Sequence, residues 1–133
     1  MYSDWKDQTL NRQKVKGDSY ERTIIKGLTD LGLDVWRTKA GWTDDRGDIA
    51  GIPGCVVECK NHARPDLAGW ITELQREVAN AQAKTGVIIH KRHGMTDPLE
   101  QWVTTTVGLW VRGMEVTTDM EQERRDELFT RSV

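Results

Sequence analysis

Hydrophobic residues fall into two spacings along this chain, one helical and one alternating. Tyr20, Ile24, Leu28 and Leu31 recur every three or four residues, which predicts an amphipathic helix from about Asp18 that stops at Gly32. Residues 34–39 alternate instead, with Val35, Arg37 and Lys39 on one face of a predicted strand and Trp36 and Thr38 on the other. Residues 47–52 and 55–60 flank Pro53-Gly54, whose types suit the centre of a type II turn, so a β-hairpin is expected. Helical spacing returns after Pro65 and Asp66, with Leu67, Ile71, Leu74, Val78 and Ala81 on the buried stripe and Gly86 at its end. Residues 87–90 and 102–107 read as strands, and 109–114 as a short helix weakened by Gly108 and Gly113. Residues 1–16 are polar and aperiodic, an arm or a short helix. The order predicts an α/β fold with a mixed central sheet flanked by helices.

At 133 residues, with 37% hydrophobic and 30% charged positions, the chain is long enough to bury one core without disulfides. No apolar run reaches the length of a membrane span, and the opening around Asp4, Lys6 and Asp7 is unlike a secretory signal. A cytoplasmic protein with no membrane partner is expected. Cys55 and Cys59, on one predicted strand, would have Cα atoms roughly 13 Å apart, too far for a disulfide. Their spacing also argues against a zinc site with His62, His90 and His93. The formal charge of −2 is unevenly spread: residues 115–133 hold six acids against three bases, which leaves the preceding residues at +1. A body of that charge suits a polyanionic partner better than the total implies.

Three residues name a chemistry. Glu58 and Lys60, two apart on a strand, leave the same face about 7 Å apart at the backbone, and a hairpin brings Asp48 across from them. Two carboxylates with the backbone carbonyl of Cys59 would supply what magnesium prefers, leaving positions for water and phosphate. Lys60 would then orient or deprotonate the attacking water, or stabilise developing charge. The hairpin imposes a condition. A regular two-residue loop at Pro53-Gly54 pairs Asp48 with Cys59 and turns it away, so the site needs an odd-length loop or a bulge. Glu21 lies toward the buried face of the first helix, where an acid needs a reason; it reads as a metal-site residue, and also as a capping box with Asp18. Asn61, His62, Arg64, Lys91, Arg92 and His93 cluster donors after two strands and would grip phosphates, as would Arg46. Trp36, Trp70, Trp102 and Trp110 are expected in the core or an interface; Trp42, in the loop with Arg46, is placed to touch substrate.

The order Lys16-Gly17, Glu21-Arg22, Gly32, Arg37, Gly47-Asp48-Ile49, Glu58-Cys59-Lys60 resembles the PD-(D/E)XK, or restriction-endonuclease-like, nucleases. Within them it is similar to phage and archaeal Holliday junction resolvases, over roughly residues 16–113. Gly47 stands where the superfamily name has proline, and Thr43 is the residue available for a serine of the archaeal members. The resemblance implies Glu21, Asp48 and Glu58 as acidic metal-site residues, Lys60 as catalytic lysine, Mg2+ with Mn2+ able to substitute, and a homodimer nicking four-way DNA. It implies a nuclease domain over 1–114, with 1–16 as its arm and 115–133 as an acidic tail, helical or disordered. For a phage protein the compartment would be the host cytoplasm. The rival readings are a mismatch-nicking, restriction or end-processing nuclease, a catalytically silent DNA-binding module, and an interaction protein whose tail recruits a partner.

Overall fold

The structure, a computed structural model, describes residues 4–38 and 47–131, without the side chains of 4–10, 116, 117 and 131. Lys39, Trp42, Thr43 and Arg46 therefore lie outside the described residues. The remaining chain forms three long helices and a five-stranded mixed sheet in the order β1-β2-β3-β4-β5. These are α1 (Asp4–Asp30), β1 (Trp36–Arg37), β2 (Ile49–Ala50), β3 (Cys55–Lys60), α2 (Leu67–Asn80), β4 (Thr85–His90), β5 (Trp102–Thr104) and α3 (Val107–Arg131). A short 3-10 turn, Pro98–Glu100, precedes β5. Among the described residues only β3 and β4 pair in parallel, and the remaining neighbours are antiparallel. No helix among the described residues is long and apolar enough to cross a membrane.

Alternation along β3 divides the core in two. Val57 and Cys59 face α1 and pack with Tyr20, Ile24, Val35, Ile49 and Ile89. Val56 faces the other way, into a cluster of Trp70, Leu74 and Val78 from α2, Ile88 from β4 and Leu109 from α3. The sheet is thus covered on both faces, and Glu58, in phase with Val56, points at α2. Leu74 and Ile88 have no exposed surface, so truncating Leu74 to alanine costs about 2–5 kcal/mol.

Several elements differ from their sequence-based expectations. The first helix begins by Asp4 rather than Asp18, so Asp18 is an interior residue and not an N-cap. Its carboxylate bonds Arg37 at 2.8 Å instead of capping a helix. The polar 4–17 stretch shows no apolar period because its described side chains have no core to face; Asn11 to Lys16 are exposed. The helix does stop at Gly32, where Leu33 N–H donates to Leu28 O and Gly32 N–H to Thr29 O, but Leu31 is exposed beyond its end. In α2, Asp66 caps through Gly69 N–H, while Leu67 is exposed and Trp70 and Glu77 join the buried stripe. Gly86 lies inside β4, not at a helix end; a Cβ there would stand 2.7 Å from Val78 Cγ2, so its absence lets α2 lie close on the sheet. The last strand ends at Thr104, and the expected short helix at 109–114 is the start of α3, which carries the acidic tail as helix to Arg131. Trp36, Trp102 and Trp110 are exposed, leaving Trp70 as the core tryptophan of the four.

Candidate active site

The hairpin satisfies the register condition through an added residue. Cys55 N–H donates to Ile52 O across Pro53-Gly54, as expected of the turn. That turn alone would set Ile49 across from Glu58, yet Ile49 pairs with Val57. The β2 side therefore holds one extra residue, and Gly51 takes the conformation this requires, with φ at +107°. Any side chain at Gly51 would also collide with the carbonyl of Asp34. The shift sets Asp48 beside Glu58, and their carboxyl groups share a hydrogen bond. Asp48 Oδ2 also accepts from Cys59 N–H at 2.8 Å, which pins it to the strand that carries its partners.

On the α2 side, Glu58 meets two acids the sequence reading did not single out. Glu58, Glu73 and Glu77 each offer an oxygen within 4.8 Å of the others. Glu77 is fully buried and hydrogen-bonds Glu58, and Glu73 Oε2 stands 3.5 Å from Lys60 Nζ. The sequence carries a signal for Glu77: it sits between Leu74 and Val78 on an apolar stripe, as Glu21 sits toward the buried face of its helix. Burial, with Glu77's hydrogen bond and the charge of Asp48, pushes Glu58's pKa up. Burial also raises that of Asp48, although the Cys59 N–H and Lys60 pull it back.

Glu21 approaches from the opposite layer. Its Oε2 is 2.7 Å from Arg37 Nε. Burial and the charge of Asp48 nevertheless raise its pKa from 4.5 to about 7, with Arg37 opposing. Glu21 from α1, Asp48 just before β2, and Glu58 and Lys60 from β3 thus come to one end of the sheet's central strand. The thiol of Cys59 is in the core beside Tyr20, its pKa raised by burial and by Asp48, so only its backbone faces this chemistry.

The donor clusters leave the same end. Because Lys60 pairs with His90 in a parallel ladder, residues 61–64 and 91–93 emerge side by side. Asn61 is half-buried, Arg64 and His93 are exposed, and His62 packs on Trp70 at 5.6 Å between ring centres. Lys91 Nζ bonds Met95 O, while Arg92 pairs with Glu100 and lies over the Trp102 ring. Comparison with family models, with curated proteins and with solved structures finds no match for this chain.

Proposed function

We propose that this protein is a divalent-metal-dependent DNA endonuclease with a restriction-endonuclease-like core, acting on branched DNA as a homodimer. The observation that carries the reading is the convergence of Asp48, Glu58 and Lys60 at the end of the sheet from which both donor-rich loops emerge. The donor set fits a hard cation: crowded carboxylates with raised pKa values, in oxygen-rich surroundings, are relieved by positive charge. Asp48, Glu58 and the Cys59 carbonyl would hold magnesium, with Glu77 and Glu73 behind Glu58 and Glu21 at the margin. When bound, such an ion polarises the phosphate and acidifies a water molecule.

The chain's own groups supply the rest. Lys60, steadied by Glu73, stabilises negative charge developing on the phosphoryl oxygens. Asn61, Arg64 and His93 offer donors to backbone phosphates without reading bases. A four-way junction presents two equivalent strands, and a two-fold dimer presents one site to each. The exposed Trp102 and Val103 on edge strand β5, with Trp110 and Met114 on α3, offer the apolar surface for a second copy.

The test is cleavage of four-way, flapped, duplex and single-stranded DNA, with and without magnesium. Wild-type protein should cut the junction in a metal-dependent way, and Asp48→Asn should bind without cutting. Turnover by pure Asp48→Asn removes this site. Equal cutting of linear duplex would favour a general nuclease of the same fold.

A further inference from the structure

At the same end of the sheet as the proposed site, on its α1 face, lies a cleft of about 260 Å³. Lys16, Ser19 and Thr23 line it from one face of α1, and Asn61, Lys91 and Thr96 line it from the ends of β3 and β4 and the turn beyond. No carboxylate is among its described lining residues, although acids crowd the same end of the sheet. Asn61 directly follows Lys60, so the cleft lies at the same end of β3 as the proposed catalytic lysine, on the opposite face of the sheet.

The walls are held together before any ligand arrives. Gln101 Oε1 accepts from Tyr20 O–H on α1 at 3.1 Å and from Arg92 N–H at 2.9 Å. Its amide nitrogen donates to the carbonyls of Met95 and Asp97, both at 3.0 Å. One side chain thus ties helix to turn with donors and acceptor in use. Lys91 Nζ donates to Met95 O, which fixes its charge at the cleft. Outward along α1, Arg12 and Lys16 continue the lining one helical turn apart, and Asn11 to Lys16 are exposed.

We infer that this cleft seats a backbone phosphate of the bound DNA, and that Arg12 and Lys16 guide the same backbone along α1. The inference rests on the nuclease reading and extends its binding surface to residues of α1. Two ammonium groups, an amide and the hydroxyls of Ser19 and Thr96, with no acid among the described lining residues, suit a phosphate diester. The hydrogen bond that holds Lys91 to Met95 spares part of the ordering cost that a flexible surface lysine incurs.

Full-length Lys16→Ala tests it, since Lys16 is exposed and alanine suits a helix. KM for junction DNA should rise roughly three- to tenfold while the loss spares kcat, as expected when uniform binding is removed. In an Asp48→Asn background, the slope of log Kd against log salt should fall by about 0.9, the value for one phosphate contact, and Lys16→Arg should restore it. An unchanged Kd, slope and KM for Lys16→Ala, with wild-type cutting intact, overturns the cleft and leaves the nuclease. DNA binding with the predicted slope change but no cutting by wild type keeps the cleft and overturns the nuclease. A wild-type protein that neither binds nor cuts DNA overturns both.

Discussion

Glu77→Gln should make the metal-free protein more stable. Glu58, Glu73 and Glu77 present oxygens within 4.8 Å of one another, and Glu58 and Glu77 are buried. Two unit charges at that separation repel by about 3.5 kcal/mol at an effective dielectric constant of about 20. The folded protein avoids part of this by keeping a proton. The raised values at Glu58 and Asp48 express that choice. A carboxyl whose folded pKa is raised contributes stability that is fully present below its unfolded value, about 4.5 for glutamate, and lost as pH climbs through the folded value. Metal-free wild type should therefore melt lower at pH 8 than at pH 5.

Glutamine at 77 removes one charge and keeps an amide to bond Glu58. We expect about 1–3 kcal/mol of stabilisation at pH 8, a rise of about 3–10 °C in melting temperature, and a flatter pH dependence. Magnesium should raise the melting temperature of wild type at pH 8 more than that of the variant, because less repulsion remains to relieve. Thermal melts by circular dichroism at pH 5 and pH 8, with and without chelator, read all of this. A variant that melts no higher than wild type at pH 8 without metal, or that keeps the wild-type pH slope, refutes the reasoning.

Lys60→Ala should lower kcat on junction DNA about 100-fold or more with little change in KM, read by single-turnover and steady-state assays; a KM effect alone would make Lys60 a binding residue. Gly51→Ala should destabilise by about 2 kcal/mol or more in denaturant melts and lose cleavage, because it strains a positive-φ residue that sets the Asp48 register; full activity would show that the register tolerates it. Arg37→Ala removes the group that lowers Glu21's pKa of about 7, so any limb of the pH–rate profile due to Glu21 should move to higher pH. If the proposed dimer forms, Trp110→Asp should shift it to monomer in sedimentation, and a wild type that stays monomeric on DNA rejects the dimer.

How much was legible in the sequence varied with how local the cause was. Asp48, Glu58 and Lys60 could be picked out because strand period and a Pro-Gly turn are written in neighbouring residues. Their register was not, since the same letters allow a regular hairpin and only Gly51's backbone carries the extra residue. Glu73 and Glu77 escaped because a helical stripe was read by its apolar members, and the acid between Leu74 and Val78 gains meaning only when β3 lies against it. The full lengths of α1 and α3 were hidden for a different reason. A helix segment with no core to face needs no hydrophobic period, and Gly113, taken for a breaker, lies within the helix where a Cβ would stand 3.4 Å from Thr85 Cγ2.

The unbroken run of α1 has a mechanical consequence. From Glu21 to Asp4 the helix extends about 25 Å, so a tilt of about 5° at Glu21 carries the far end through roughly 2 Å. Leverage works in both directions. Whatever clamps the outer half sets the angle at which Glu21 meets Arg37, across an ion pair of 2.7 Å that tolerates little displacement. A hinge at Lys16-Gly17 would have insulated the two ends; a continuous rod makes grip at the tip and charge at its base a single rigid motion.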